Sequence, residues 1–122
     1  MNILEQVDVE AKGLSLLDLD ASDLARMIAN KEITSREATE IYINHIKNVN
    51  PSLNFLVEER FIDALKEADE ADRQIAENKT YGKLLGVPIS MKESFHVDGM
   101  KTTGGLLNRK DAFQNSDAEL VK

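Results

Sequence analysis

Residues 84–92, Leu-Leu-Gly-Val-Pro-Ile-Ser-Met-Lys, constrain the fold more than any other stretch of this chain. Their apolar density is high and their alternation weak, the pattern of a strand covered on both faces. Pro88 cannot donate to a ladder, which places it at an edge, a bulge or a strand start. Lys92 is the anomaly, because taking an ammonium group out of water is costly even after relaxation. It must reach solvent, meet a counter-charge or give up its proton. Desolvation lowers a lysine's pKa, and a neutral lysine is a competent general base. Ser90 and Ser94 flank it on the same strand face, but such neighbours stand about 7 Å apart, too far for a direct hydrogen bond. A strand-end lysine reaching water and a catalytic lysine are both open on these residues alone.

Helical signals fill the first half. Asp20 can N-cap a helix running to Asn30, with Asp23 near the positive end of its dipole and Leu24, Met27 and Ile28 as its apolar stripe. Thr34 and Glu37 form a capping box. Ala38, Ile41, Tyr42, His45 and Val49 then share one helical face, and Pro51 predicts a stop at Asn50. Residues 53–59, Leu-Asn-Phe-Leu-Val-Glu-Glu, read as a short buried strand. A third helix spans about Phe61 to Glu77, with Phe61, Leu65, Ala68 and Ile75 inward and an acidic, solvated outer face. Glu58-Glu59 and Asp69-Glu70 read as solvated charge. After Lys92, Asp98-Gly99 suits a turn and Gly104-Gly105 a close backbone approach. Residues 115–122 predict the start of a further helix, capped by Asn115 or Ser116 with Glu119 in its first turn.

Composition limits the function classes. Residues 1–80 hold 9 Lys/Arg against 17 Asp/Glu, and residues 81–122 hold 6 against 5. Nucleic acid and anionic membrane need a basic footprint, so neither is expected as a partner. There is no cysteine, which removes disulfides and thiolate metal sites. His45 and His96 lie on different elements with no paired-ligand spacing, so neither a metal nor a cofactor is expected. The first residues carry no secretory pattern and no run is long enough to span a bilayer. A cytoplasmic location is the expectation.

The stretch from Leu84 to Gly105 closely resembles the first core segment of the amidase signature family. The resemblance rests on Gly86-Val87-Pro88, Lys92-Glu93, Gly99 and Thr102-Thr103-Gly104 in combination. Residues 34–57 are similar to that family's N-terminal helix and following strand, and residues 116–122 to the start of its next helix. It implies an α/β fold in which N-terminal helices accompany the first strands of a mixed core sheet covered by helices. The expected organisation is an arm at 1–14, a helical layer at 15–80, and the first core strand, loop and helix start at 81–122, together the N-terminal part of one amidase domain. It further implies amide-bond hydrolysis through an acyl-serine intermediate, with a Ser–cis-Ser–Lys triad acting on a small-molecule amide. Lys92 stands at the position of the terminal base and is the catalytic residue carried over. Ser90 and Ser94 do not match the two serines, so this chain alone is expected to be inactive. Glu93 is assigned a part in the local turn and no catalytic one.

Two other readings stand beside this one. An amidotransferase component that releases ammonia from glutamine belongs to the same family. A non-catalytic helical module, docking on a partner or pairing with a second copy, accounts for the first half but has no use for Lys92.

Overall fold

The computed structural model describes residues 16–79 and 82–121. Three α-helices carry the architecture: α1 (Ala21–Ala29), α2 (Ser35–Leu53) and α3 (Phe61–Ala76). Short 3-10 turns occupy Leu16–Asp18 and Leu107–Arg109. The chain divides into two compact units. Among the described residues, one comprises those up to Leu56 together with those from Arg60 to Pro88, the other Val57–Glu59 with those from Ile89 onward.

The first unit is helical because its helix ends are locally satisfied. Asp20 accepts the Asp23 amide at 2.8 Å, as its capping position predicts. At the start of α2 every early amide has a named acceptor. Thr34 N–H donates to Glu37 Oε2 at 2.8 Å, and Glu37 N–H returns to Thr34 Oγ1 at 3.0 Å. The amides of Ser35 and Arg36 donate to the two oxygens of Asp72, at 2.7 and 3.0 Å. Asp72 lies on α3, so a carboxylate from another helix completes the cap and adds its charge to the positive end of the dipole. We predict that Asp72→Ala costs about 2–3 kcal/mol, since two part-buried amides lose a charged acceptor. Asp72→Asn, which keeps one acceptor oxygen, should fall between; urea unfolding of the three proteins measures the order.

Leu16, Leu24, Ile28, Ile33, Ala38 and Ile75 make up the core of this unit, with Met27, Ile41, Tyr42, Leu85 and Val87 against it. The Tyr42 hydroxyl donates to the Leu16 carbonyl at 3.2 Å. Helix α2 is buried on more than the predicted stripe. Thr39 and Ile43 are buried, whereas His45, placed inward by periodicity, is exposed. The reason is that α2 packs on α3 as well as on the Leu16–Asp18 turn. Pro51 does not stop α2 at Asn50. It sits in the final turn, where its missing N–H forfeits one bond, and the helix closes at Asn54 in the left-handed conformation with its amide on the Asn50 carbonyl at 2.7 Å.

The expected α/β class is overturned. Among the described residues there is no strand, and backbone pairing of the β type is limited to an isolated antiparallel bridge between Lys101 and Phe113. A strand exists only when a neighbour accepts and donates along it. Here the polar groups of both expected strands turn to local partners. Leu56 bonds through its amide and carbonyl to the Asn50 side chain, at 2.9 and 3.0 Å. Leu85 and Val87 donate to the carbonyls of Gly82 and Leu84, both at 3.1 Å. Nor are the runs covered on both faces: Val57 is 71% and Ile89 72% exposed. The expected helix at 115–122 is likewise absent up to residue 121. The Ala118 amide returns to the His96 carbonyl at 2.9 Å and Asp117 accepts the Asp98 amide at 2.8 Å, contacts that replace a helical ladder. The arm predicted at 1–14 lies outside the described residues.

In the first unit, residue 86 is where the segment after α3 meets the helices. Gly86 has φ +86°, and its carbonyl accepts the Ser35 hydroxyl at 2.7 Å. Ser35 is therefore held from two sides, its amide by Asp72 and its hydroxyl by Gly86.

Candidate functional site

The second unit is built from turns. Gly99, with φ +74°, closes a turn in which the Met100 amide donates to the Val97 carbonyl at 3.0 Å. The chain then pairs briefly with residues 112–114. Gly99 N–H donates to the Gln114 carbonyl at 3.0 Å, Gln114 N–H to that of Met100 at 2.9 Å, and Thr102 N–H to that of Ala112 at 3.0 Å. This pairing pins both ends of the loop holding Thr103, Gly104 and Gly105.

Glu93 organises that loop. Its carboxylate accepts the amides of Thr103 and Gly104, the latter at 3.1 and 3.2 Å from its two oxygens. Hydrogen bonds from Thr103, side chain first and backbone second, then from the Gly104 amide, hold the carboxyl below its usual pKa. Because the folded value is depressed, the tether is present at neutral pH and is released only as the pH falls below the ordinary carboxylate range. Gly104 and Gly105 both have positive φ, +57° and +73°, and the Gly105 amide donates to Thr103 Oγ1 at 3.1 Å. Their glycines serve this backbone shape and not a close approach, since a Cβ at either would meet nothing within 4 Å. Thr102 keeps a buried hydroxyl without a hydrogen-bond partner.

Lys92 immediately precedes this anchor. Its side chain is exposed, and among the described residues no carboxylate pairs with it. Its carbonyl accepts the Phe95 amide at 2.9 Å, closing a turn over residues that the sequence places in a strand. Ser90 and Ser94 are also exposed, and the turn removes the shared strand face on which the sequence aligns them with Lys92. His96 is exposed, with its carbonyl engaged by Ala118. Among the described residues no group of three or more His, Cys, Asp or Glu could hold a metal ion. What the site offers is an accessible primary amine on a backbone braced on its C-terminal side.

Beside the anchor lies a cavity of about 450 Å³, with Val57, Leu106 and Leu107 as apolar lining and Glu58, Lys101 and Lys110 among its polar groups. Glu58 is no idle surface charge, because it accepts the Lys101 amide at 3.1 Å. The Lys101 ammonium sits 5.2 Å from the Phe113 ring centroid. Glu70 and Asp69 are engaged too. Glu70 pairs with Arg73, which with Gln74 holds its carboxyl down at about 2, and Asp69 pairs with Arg36 at 2.7 Å. Doubled carboxylates carry no sequence signal that separates these roles from plain solvation.

A family model described as Amidase matches residues 37–122, a span containing Lys92, Glu93 and the whole Thr102–Gly105 loop. Fatty-acid amide hydrolase 2-A of Danio rerio is 45% identical over 114 residues, covering 87% of this chain and 21% of that protein. Fatty-acid amide hydrolase 2 of Homo sapiens is 38% identical over 113 residues, with the same coverage. A glutamyl-tRNA(Gln) amidotransferase chain of Clostridium acetobutylicum is 31% identical over 109 residues, covering 89% of this chain and 23% of that protein. The chain thus spans about a fifth of the length of the curated relatives it matches.

Proposed function

Since this chain belongs to the amidase family, we propose that the whole protein hydrolyses an amide bond through an acyl-serine intermediate, with Lys92 as the terminal base. The single observation that carries this reading is the family match across residues 37–122, which takes in Lys92-Glu93 and Thr102-Thr103-Gly104 together. The remainder of the whole protein would supply the nucleophilic serine and the second serine that relays its proton.

The chemistry balances with water as the only co-reactant. The nucleophilic oxygen attacks the amide carbonyl while its proton passes through the relay serine to the Lys92 amine. Lys92 returns that proton to the departing nitrogen, so ammonia or an amine leaves and a serine ester remains. Water then attacks the ester, and the same relay delivers a proton back to the serine. The Lys92 side chain is exposed in these residues, so the remainder of the whole protein would also have to cover it, since desolvation is what frees an amine to act as a base. The 122 residues by themselves hold the base without its matching serines and are expected to be inactive.

Relatives named as fatty-acid amide hydrolases support a fatty-acid amide as the substrate class. The relative named as a glutamyl-tRNA(Gln) amidotransferase supports a second reading, in which glutamine is the amide and its ammonia is passed on. Among the described residues no helix is long and apolar enough to cross a membrane.

The test is to give the whole protein a long-chain primary amide and, separately, glutamine, and to follow ammonia. A fluorophosphonate, which esterifies an activated serine, should block turnover and leave its adduct on one serine by mass spectrometry. Turnover with no adduct on any serine would rule out the acyl-serine route.

A further inference from the structure

We propose that Glu93 is a positioning residue for the proposed amidase chemistry: its carboxylate ties the turn after Lys92 to the Thr102–Gly104 loop and so sets where the Lys92 amine is presented. This deepens the reading of Lys92 as terminal base and rests on it.

An exposed lysine on a flexible stem is a poor catalyst unless something fixes its origin. Among the described residues the Lys92 side chain has no ion-pair partner to do so. Its backbone is instead held on the C-terminal side. The Lys92 carbonyl accepts the Phe95 amide at 2.9 Å, and the very next side chain reaches across to the amides of Thr103 and Gly104. The far side of that tether is itself pinned, by the Thr102 amide on the Ala112 carbonyl at 3.0 Å and the Lys101 amide on Glu58 at 3.1 Å. A loop held by its own hydrogen bonds thus anchors the turn that carries the base.

The residue type follows from the donors. Both backbone amides converge on Glu93 Oε1, and the Gly104 amide also lies 3.2 Å from Oε2; a carboxylate presents acceptors only, whereas a carboxamide would put an N–H₂ where that second oxygen sits. The same engagement explains why an acid can stand next to a lysine without becoming its counter-ion. Both Glu93 oxygens are occupied by the loop, which leaves the amine accessible. It also accounts for the company these motifs keep in this sequence: the acid after the lysine and the Thr-Thr-Gly ten residues on are two halves of one contact.

The decisive experiment measures kcat and KM of the whole protein on a long-chain primary amide for Glu93→Gln, Glu93→Ala and Glu93→Asp, each also in a Lys92→Ala background. Displacing a reacting group by an ångström costs on the order of 10²-fold in rate. Glu93→Gln should therefore lower kcat by about that factor with KM changed less than about threefold, and Glu93→Asp should recover most of it. In the Lys92→Ala background Glu93→Gln should cost nothing further, because Glu93 acts through the lysine. Should Glu93→Ala fail to fold, the near-isosteric Glu93→Gln decides. A wild-type kcat for Glu93→Gln, or an equal loss with and without Lys92, overturns the positioning role. Full activity in Lys92→Ala alone would instead sink the base assignment, an outcome distinct from either.

Discussion

Replacing Lys92 by alanine in the whole protein should cut amide hydrolysis by about 10²–10⁴-fold, the range over which a positioned general base accelerates a reaction. The stability of the 122 residues by themselves should hardly change. The Lys92 side chain is exposed and, among the described residues, makes no ion pair, and such surface substitutions usually stay within about 0.5 kcal/mol. Lys92→Arg should fail as badly, since a guanidinium keeps its proton at any working pH and cannot serve as the base. Steady-state ammonia release, set beside a thermal melt of each variant, reads both quantities. Activity within threefold of the parent in Lys92→Ala would end the case for this lysine.

The largest effect on stability should come from Gly86→Ala. A Cβ at this position would lie 3.0 Å from Ser35 Cβ, 3.1 Å from Ser35 Oγ and 3.2 Å from Ile28 Cγ2. Neither neighbour can yield easily. Ser35 is gripped by Asp72 and by Gly86 itself, and Ile28 is only 1% exposed in the core. The backbone conformation, φ +86°, adds a penalty of about 1–2 kcal/mol for a residue with a side chain. Overpacking adds about 1–3 kcal/mol more, so a total of roughly 2–5 kcal/mol is expected. Gly99→Ala is the control, because its φ is also positive, +74°, but a Cβ there would meet nothing within 4 Å. It should show the conformational penalty alone. Equal shifts in urea midpoint for the two variants would mean that the contact with Ser35 and Ile28 has no energetic weight.

How much of this was readable beforehand depends on the range of the interaction. Thr34 with Glu37 and Asp20 with Asp23 are three residues apart, and both caps form as the sequence predicts. The apolar stripe Leu24–Met27–Ile28 likewise faces the core. Pro51 misled because the penalty of a proline is one missing bond in a last turn, which an Asn54 in the left-handed conformation closes anyway. His45 misled because periodicity shows that a helix has an apolar face without saying how many neighbours it meets. In the site, the lysine and its acid were legible as a motif. That the acid grips Thr103 and Gly104, or that Glu58 holds Lys101, was not, for no local spacing encodes a contact ten or forty residues away.

From the sequence alone came the helix caps and their stripes, the absence of thiol chemistry, and the family to which Lys92, Glu93 and Thr102-Thr103-Gly104 point. All are properties of neighbouring residues or of residue types. Only the tertiary structure decided that the two apolar runs are not strands, that Asp72 completes the cap of α2, and that Lys92 stands in an exposed turn with Glu93 turned to the loop. Each depends on where a distant partner lies: a ladder needs a second strand, an amide takes whichever acceptor the fold brings within about 3 Å, and burial is conferred by neighbours that no single segment specifies.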